Sequence, residues 1–230
     1  MHKFTTYNAD DKMSEVITEN FMMLNILSRF AMPLGTGQKT IKQFCKQNNV
    51  DTNTFLQIIN LATDDSDANI VDAELHFPSI LRFLENSHHY FIEFRLPMIG
   101  TKLQNALRNQ SPVVMKSIMD YFNEYFREVK KHFNYEERKV FPYITSLINN
   151  TPNDKYNISI FSRQHDHVEV KLMELKNILI QYYPLQTSYE LNDVLFNIFI
   201  CADDLRLHND IEDRLLVPSI KEIEQKTLSK

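Results

Sequence analysis

Apolar residues recur every three or four positions over long stretches of this chain, and this spacing constrains the fold more than any other feature. From residue 78 onward it fills four segments, roughly 78–109, 112–148, 157–182 and 188–226. Residues so spaced share one face of an α-helix, so each segment carries an apolar stripe that needs burial. With only 3 glycines and 8 prolines in 230 residues, the composition favours long helices joined by short loops over a β protein with glycine at its turns. The sequence predicts an all-α fold.

Short polar breaks separate the four predicted helices. Ser111 and Pro112 supply an N-cap and a first-turn proline, and Thr187 with Glu190 forms a capping-box pattern. Short connections make successive helices antiparallel, and four amphipathic helices bury their stripes together. Residues 78–230 are therefore predicted to form an up-down four-helix bundle.

The N-terminal part predicts a small helical domain over residues 1–62. Thr40 and Asp51 each precede an apolar-periodic stretch and are expected N-caps. The polar sequence TDDSDAN begins at residue 63 and predicts a linker over 63–77. The chain is thus expected to divide into a small domain, a linker and a bundle.

Charge and composition exclude several classes of function. The net charge is −5 and basic residues alternate with acidic ones, so no basic stripe for nucleic acid is present. No apolar run approaches the ~18–20 residues that span a bilayer, and no secretory signal begins the chain. Cys45 and Cys201 lie far apart, which favours reduced thiols. We expect a cytoplasmic protein with no nucleic-acid or membrane partner.

Histidine and glutamate interrupt the apolar stripes of the predicted bundle. His132 and Glu136 lie four positions apart on the second helix, and His208 and Glu212 repeat this spacing on the fourth. His165 lies on the stripe of the third helix. All five side chains are therefore expected to point inward.

The first helix offers two neighbouring histidines. His89 continues the spacing of Ile92 and Leu96, whereas His88 continues through Phe91 to Arg95. The sequence therefore predicts His89 as the inward histidine and leaves His88 as an alternative.

Burying four imidazoles and two carboxylates without a counter-charge would cost several kcal/mol for each ionised group. A bound cation pair removes this cost, because these groups become its ligands. Nitrogen and oxygen donors without a thiolate leave iron, manganese or zinc as candidates. Glu169, one turn after His165, is a candidate further ligand or hydrogen-bond acceptor, and Tyr125 is either a core residue or a donor to the site. No residue pattern identifies a catalytic group.

Four segments resemble the ligand segments of haemerythrin-like (HHE) domains: LP at 96–97 after His89, HFNYEERKVFP at 132–142, QHD at 164–166 and HNDIEDRLLVP at 208–218. The stretch NFMMLNILSRFAMPLGTGQKTIKQFCKQNNVD resembles the N-terminal domain of the RIC proteins, which repair iron centres. This resemblance implies a haemerythrin-like bundle with two non-haem irons, bridged by an oxo or hydroxo group. The implied ligands are His89, His132, Glu136, His165, His208 and Glu212.

The same resemblance implies repair of iron–sulfur clusters after nitrosative or oxidative stress, through iron donation or nitric-oxide chemistry. Damaged or apo iron–sulfur proteins would be partners, and nitric oxide or dioxygen the small ligands. Two positions depart from the pattern. Many RIC proteins have a cysteine pair where this chain has Ala31 to Leu34, and oxygen-carrying haemerythrins have a histidine at the position of Glu169.

Two other functions remain open from the sequence. One is a haemerythrin-type module that binds or senses dioxygen or nitric oxide reversibly. The other is a metal-free structural bundle that binds partners through its surface. The sequence leaves open whether the protein turns over a substrate, and a homodimer is one expected assembly.

Overall fold

The structure, a computed structural model, describes residues 6–63, 75–151, 156–164, 168–182 and 188–228. Within these ranges the regular elements are helices, together with one isolated bridge between Lys12 and Thr40. This confirms the predicted all-α class. Most of the predicted linker, residues 64–74, lies outside the described residues. In the described part of the chain, no helix is both long enough and apolar enough to cross a membrane.

The α-helices run along the chain in the following order: α1 Met13–Glu19, α2 Met23–Arg29, α3 Ile41–Gln47, α4 Thr52–Leu61, α5 Phe77–His89, α6 Leu96–Ala106, α7 Pro112–Tyr135, α8 Phe141–Ile148, α9 Ile158–Gln164, α10 Val168–Asn177, α11 Tyr189–Asp210 and α12 Val217–Leu228. They form two compact units. The first unit contains residues 1–87, 143–162 and 207–230, and the second contains residues 88–142 and 163–206. The domain boundaries expected from the sequence stay a prediction.

The second unit is a bundle of four helical segments around one apolar core. Its core residues come from α6, α7, α10 and α11 and include Leu96, Ile99, Leu103, Ile118, Phe122, Val129, Leu172, Leu175, Val194 and Ile198. Lys102 pairs with Asp193 at 2.6 Å, and Arg95 donates to Asn197 at 3.1 Å. The partner number on α11 falls as the number near α6 rises, so these two segments are antiparallel.

The first unit joins the N-terminal helices to α5 through an aromatic core. The Phe30 ring lies 5.4 Å from that of Phe55 and 4.9 Å from that of Phe83. The Asn86 amide donates a 2.6 Å hydrogen bond to the carbonyl of Arg29 at the end of α2. Helices α2, α4 and α5 therefore share one core.

Side-chain caps begin several helices where the sequence predicted them. Thr40 forms a capping box at α3, Asp51 accepts from the backbone of Thr54, and Ser111 caps α7 ahead of Pro112. These three caps are confirmed. At α11, Ser188 accepts a 3.1 Å bond from the Leu191 N–H. The predicted cap Thr187 lies outside the described residues.

Within the described ranges, four π-helical turns interrupt the long helices: Tyr90–Arg95, Glu136–Val140, Ile178–Tyr182 and Ile211–Leu216. The first, second and fourth end in the same way. In each, the next N–H donates to the carbonyl five residues earlier, namely Leu96 to Phe91, Phe141 to Glu136 and Val217 to Glu212. A π turn contains one residue more than the α turn it replaces.

A proline follows each of these three turns at the same offset: Pro97, Pro142 and Pro218. Proline has no N–H to donate, and in an α-helix its ring clashes with the carbonyl four residues earlier. A wider turn directly before the proline relieves that clash. The Leu-Pro, Phe-Pro and Val-Pro dipeptides therefore give a local reason for the π turns to form there.

Close packing of α6 on α7 allows a prediction at Gly100. A Cβ built there would lie 2.7 Å from Cε1 of the buried Phe122 ring. We expect G100A to lower the free energy of unfolding by about 1 kcal/mol, because overpacking of 1–3 kcal/mol outweighs a helix-propensity gain of about 1 kcal/mol. Urea unfolding measures the change.

The matched control uses the same substitution in an F122L background, where the ring is absent. There G100A should stabilise the protein, since only the propensity gain remains. An equal loss in both backgrounds would show that the contact with Phe122 is not the cause.

Candidate metal centre

Glu136 lies fully buried at the first position of a π turn, where two imidazoles meet its carboxylate. Nε2 of His132 lies 2.8 Å from Oε1 of Glu136, and Nε2 of His88 lies 3.0 Å from Oε2. The side chain of Glu136 is 0% exposed, and those of His132 and His88 are 11% and 2% exposed. Each carboxylate oxygen thus faces a different histidine.

Aromatic rings and a second carboxylate hold His88 in place. Its ring stacks on Phe133, with centroids 4.0 Å apart and planes 10° apart, and lies 5.5 Å from the Phe141 ring. On the opposite edge, Nδ1 of His88 lies 2.9 Å from Oε1 of Glu137. The Glu137 acceptor favours a proton on Nδ1, and Nε2, which faces Glu136, is the ring nitrogen that would bind a metal ion.

The inward histidine of α5 is therefore His88, which corrects the choice of His89 made from the sequence. His89 is exposed. The reason is the π turn at 90–95, which adds one residue between the histidines and Leu96. Spacing counted back from Leu96 with α-helical steps is therefore one residue out of phase, and Phe91 rather than Ile92 is fully buried.

His208 and Glu212 are the corresponding pair at the end of α11. Their side chains are 1% and 0% exposed, and Nε2 of His208 lies 3.7 Å from Oε2 of Glu212. Like Glu136, Glu212 lies in a π turn that precedes a proline. Both residues are buried, as their place on the apolar stripe predicted.

Four of these residues form a buried cluster of metal-ligating groups. His88, Glu136, His208 and Glu212 each offer one ligand atom, and these atoms all lie within 4.8 Å of one another. Two neutral imidazoles and two carboxylates carry a formal charge of −2, which a divalent cation would compensate. Nitrogen and oxygen donors of this kind suit iron, manganese or zinc. The residues present therefore fit a metal ion.

The remaining candidates are placed as follows. His132 joins the group through its contact with Glu136, while His165 lies outside the described residues. Glu169 is half-buried in the first turn of α10, and its charge is one of the influences that raise the pKa of Tyr125. Which residues ligate a metal stays a prediction.

Opposing effects act on the pKa of Glu136. Burial by itself would raise this pKa, but hydrogen bonds and charge from His132 and His88 outweigh burial and hold the pKa well below its ordinary value. The hydrogen bond from His88 likewise lowers the pKa of Glu137. Both carboxylates are thus ionised at neutral pH, as ligation and support of a ligand require.

Comparison with known proteins agrees with this geometry. The family model described as "Hemerythrin HHE cation binding domain" matches residues 79–220. This range contains all the clustered residues and lies within the predicted bundle of 78–230. A search of curated proteins finds no match to the chain.

The depressed pKa of Glu136 predicts a pH dependence in metal-free protein. A lowered carboxyl pKa adds stability above the unfolded-state value of about 4.3, and this contribution is lost as pH falls below it. At pH 7, E136Q should unfold about 3 kcal/mol more easily, because it breaks a buried pair. Urea unfolding in the presence of a chelator measures the free energy of unfolding of both proteins. The difference between E136Q and the wild type should be smaller at pH 3 than at pH 7. The control is E124Q, which changes an exposed glutamate and should unfold with the same free energy as the wild type. A difference between E136Q and the wild type that stays constant with pH would contradict the lowered pKa of Glu136.

Proposed function

The chain belongs to the hemerythrin HHE cation-binding family, and from this membership we propose that it is a RIC-like di-iron protein that repairs iron–sulfur clusters. The observation that carries the metal-binding part is the buried cluster of His88, Glu136, His208 and Glu212. Metal binding follows from the family and from these donors together. Iron as the metal, two ions per chain and cluster repair are the proposal.

The contacts of Glu136 support a pair of ions. Its two oxygens face different imidazoles, Oε1 toward His132 and Oε2 toward His88. A carboxylate that bridges two metal ions likewise directs each of its oxygens to a different partner. Glu212, at the equivalent position before Pro218, supplies a second carboxylate for the same role.

The chain's own residues prepare the site for iron. The Glu137 carboxylate accepts a hydrogen bond from Nδ1–H of His88, and Phe133 fixes the plane of that ring. Such outer partners orient a ligand and raise its basicity. Bound iron would supply ferrous–ferric redox chemistry and an open position for a small ligand such as nitric oxide or dioxygen.

Repair is favoured over oxygen carriage by two sequence features. The N-terminal segment resembles the domain that accompanies the bundle in RIC proteins, and Glu169 stands where oxygen-carrying haemerythrins have a histidine. The proposed acceptors are apo or damaged iron–sulfur proteins. The cysteine pair of many RIC proteins is replaced by Ala31 to Leu34, so the proposed transfer does not use thiols at that turn.

The two neighbouring histidines of α5 provide a matched test of the metal site. H88A should weaken iron binding at least tenfold, because it removes a buried donor that contacts Glu136. H89A changes an exposed side chain and should leave binding unchanged. Anaerobic titration with ferrous iron, followed by iron quantification per chain, measures both. Weakened binding in H89A but not in H88A would contradict the assignment.

Cluster repair is tested by iron transfer. Protein loaded with ferric iron, mixed anaerobically with an apo-[2Fe–2S] ferredoxin and sulfide, should restore the visible absorption of the oxidised cluster faster than the same amount of ferric salt. Protein carrying E136A, treated in the same way, should restore this absorption no faster than the salt does, because it lacks the proposed bridging ligand. Iron that stays on the protein, with a rapid and reversible spectral change on adding dioxygen, would favour reversible binding instead.

A further inference from the structure

A groove in the second unit reaches from the surface to a buried tyrosine. Its volume is about 750 Å³. Its described lining comes from α7 and α10: Tyr125, Glu128, Val129, Lys131, His132, Tyr135, Val168, Val170, Lys171 and Glu174. His132, which contacts Glu136, is therefore reached from the same groove as Tyr125.

The hydroxyl of Tyr125 is buried without a hydrogen-bond partner among the described residues. The whole side chain is 2% exposed. One turn earlier on α7, Tyr121 by contrast donates to Glu174 at 2.7 Å. Leaving a buried donor unsatisfied costs about 1–3 kcal/mol, so the Tyr125 hydroxyl is placed where an acceptor can arrive from outside the chain.

The charges of the groove are largely balanced. Lys171 pairs with Glu128, and Glu174 accepts from Tyr121. Counting Lys131, the groove has two lysines and two glutamates along its described lining. Val129 and Val168 add apolar surface next to Tyr125. Such a lining favours an uncharged ligand over an ion.

The Tyr125 side chain also stays a neutral phenol, which keeps its hydroxyl proton. Burial first, and then the charges of Cys201, Glu169 and Tyr121, raise its pKa well above the ordinary value. A neutral phenol can only donate usefully to a ligand that carries an acceptor atom. The nearby Glu169 carboxylate would repel an anion at this position.

We propose that this groove binds a small uncharged molecule with a hydrogen-bond-accepting atom, and that the Tyr125 hydroxyl donates to it beside His132. The inference rests on the proposed iron site, because the ligand would meet the iron where His132 and Glu136 are in contact. In this proposal Tyr125 helps to determine which small molecule binds. Nitric oxide is the probe for this site.

The test compares Y125F with the wild-type protein in two states. Without metal, Y125F should unfold at a midpoint no lower than that of the wild type, since it removes a buried donor that finds no partner in the described part of the chain. With ferrous iron bound, Y125F should release nitric oxide about 5–10 times faster, the loss expected for one hydrogen bond. Differential scanning calorimetry and stopped-flow trapping of released nitric oxide give the two readouts.

Y121F is the matched control, because it removes a hydroxyl that is paired with Glu174 on the same helix. It should leave nitric-oxide release unchanged. A lower midpoint for metal-free Y125F, or a release rate equal to that of the wild type, would overturn the inference. Iron is quantified in each sample, which separates the proposed function from the role of Tyr125. Wild-type protein that binds no iron rejects the proposed function. Wild type and Y125F that bind equal iron and release nitric oxide at equal rates reject only the role of Tyr125.

Discussion

Two glutamates lie in the interior of this protein, and the arrangement around the site depends on how a buried carboxylate is compensated there. Glu136 and Glu212 are both 0% exposed. A carboxylate in such surroundings would ordinarily become protonated, because the desolvation cost falls on the charged form. Imidazole donors reverse this for Glu136. A cation bound by the cluster would complete the neutralisation, so metal binding and the stability of the core are linked.

The backbone serves this arrangement through the π turns. Glu136 and Glu212 each occupy a turn whose next N–H donates to the glutamate's own carbonyl, and a proline follows. The turn changes which face of the helix points inward directly beside each buried glutamate. π turns within α-helices are often found at functional sites, where they displace side chains from the regular helical phase. Here the prolines supply a local cause for the displacement.

Some polar side chains around the site have hydrogen-bond partners, and one does not find a partner among the described residues. The edge of His88 that faces away from Glu136 meets Glu137, and its ring face meets Phe133, so that histidine is fixed on two sides. Tyr125 is buried but its hydroxyl has no partner among the described residues. Proteins tolerate such a local cost at sites where a ligand supplies the missing interaction. The second unit thus contains both the rigidly supported His88, a candidate metal ligand, and the Tyr125 hydroxyl, a donor that could serve a bound molecule.

The sequence by itself determined the helical class, the N-caps at Thr40, Asp51 and Ser111, and the burial of Glu136, His208 and Glu212. These follow from spacing and local hydrogen bonding, which act within a few residues. Only the tertiary structure decided between His88 and His89, because one extra residue in a π turn changes the inward face and leaves the composition of the helix unaltered. The identical offset of Pro97, Pro142 and Pro218 is the signal that could have revealed it. That the Tyr125 hydroxyl is buried with no hydrogen-bond partner from any described residue could not be predicted from the sequence either, since it depends on which groups α7 and α10 bring around it when they pack.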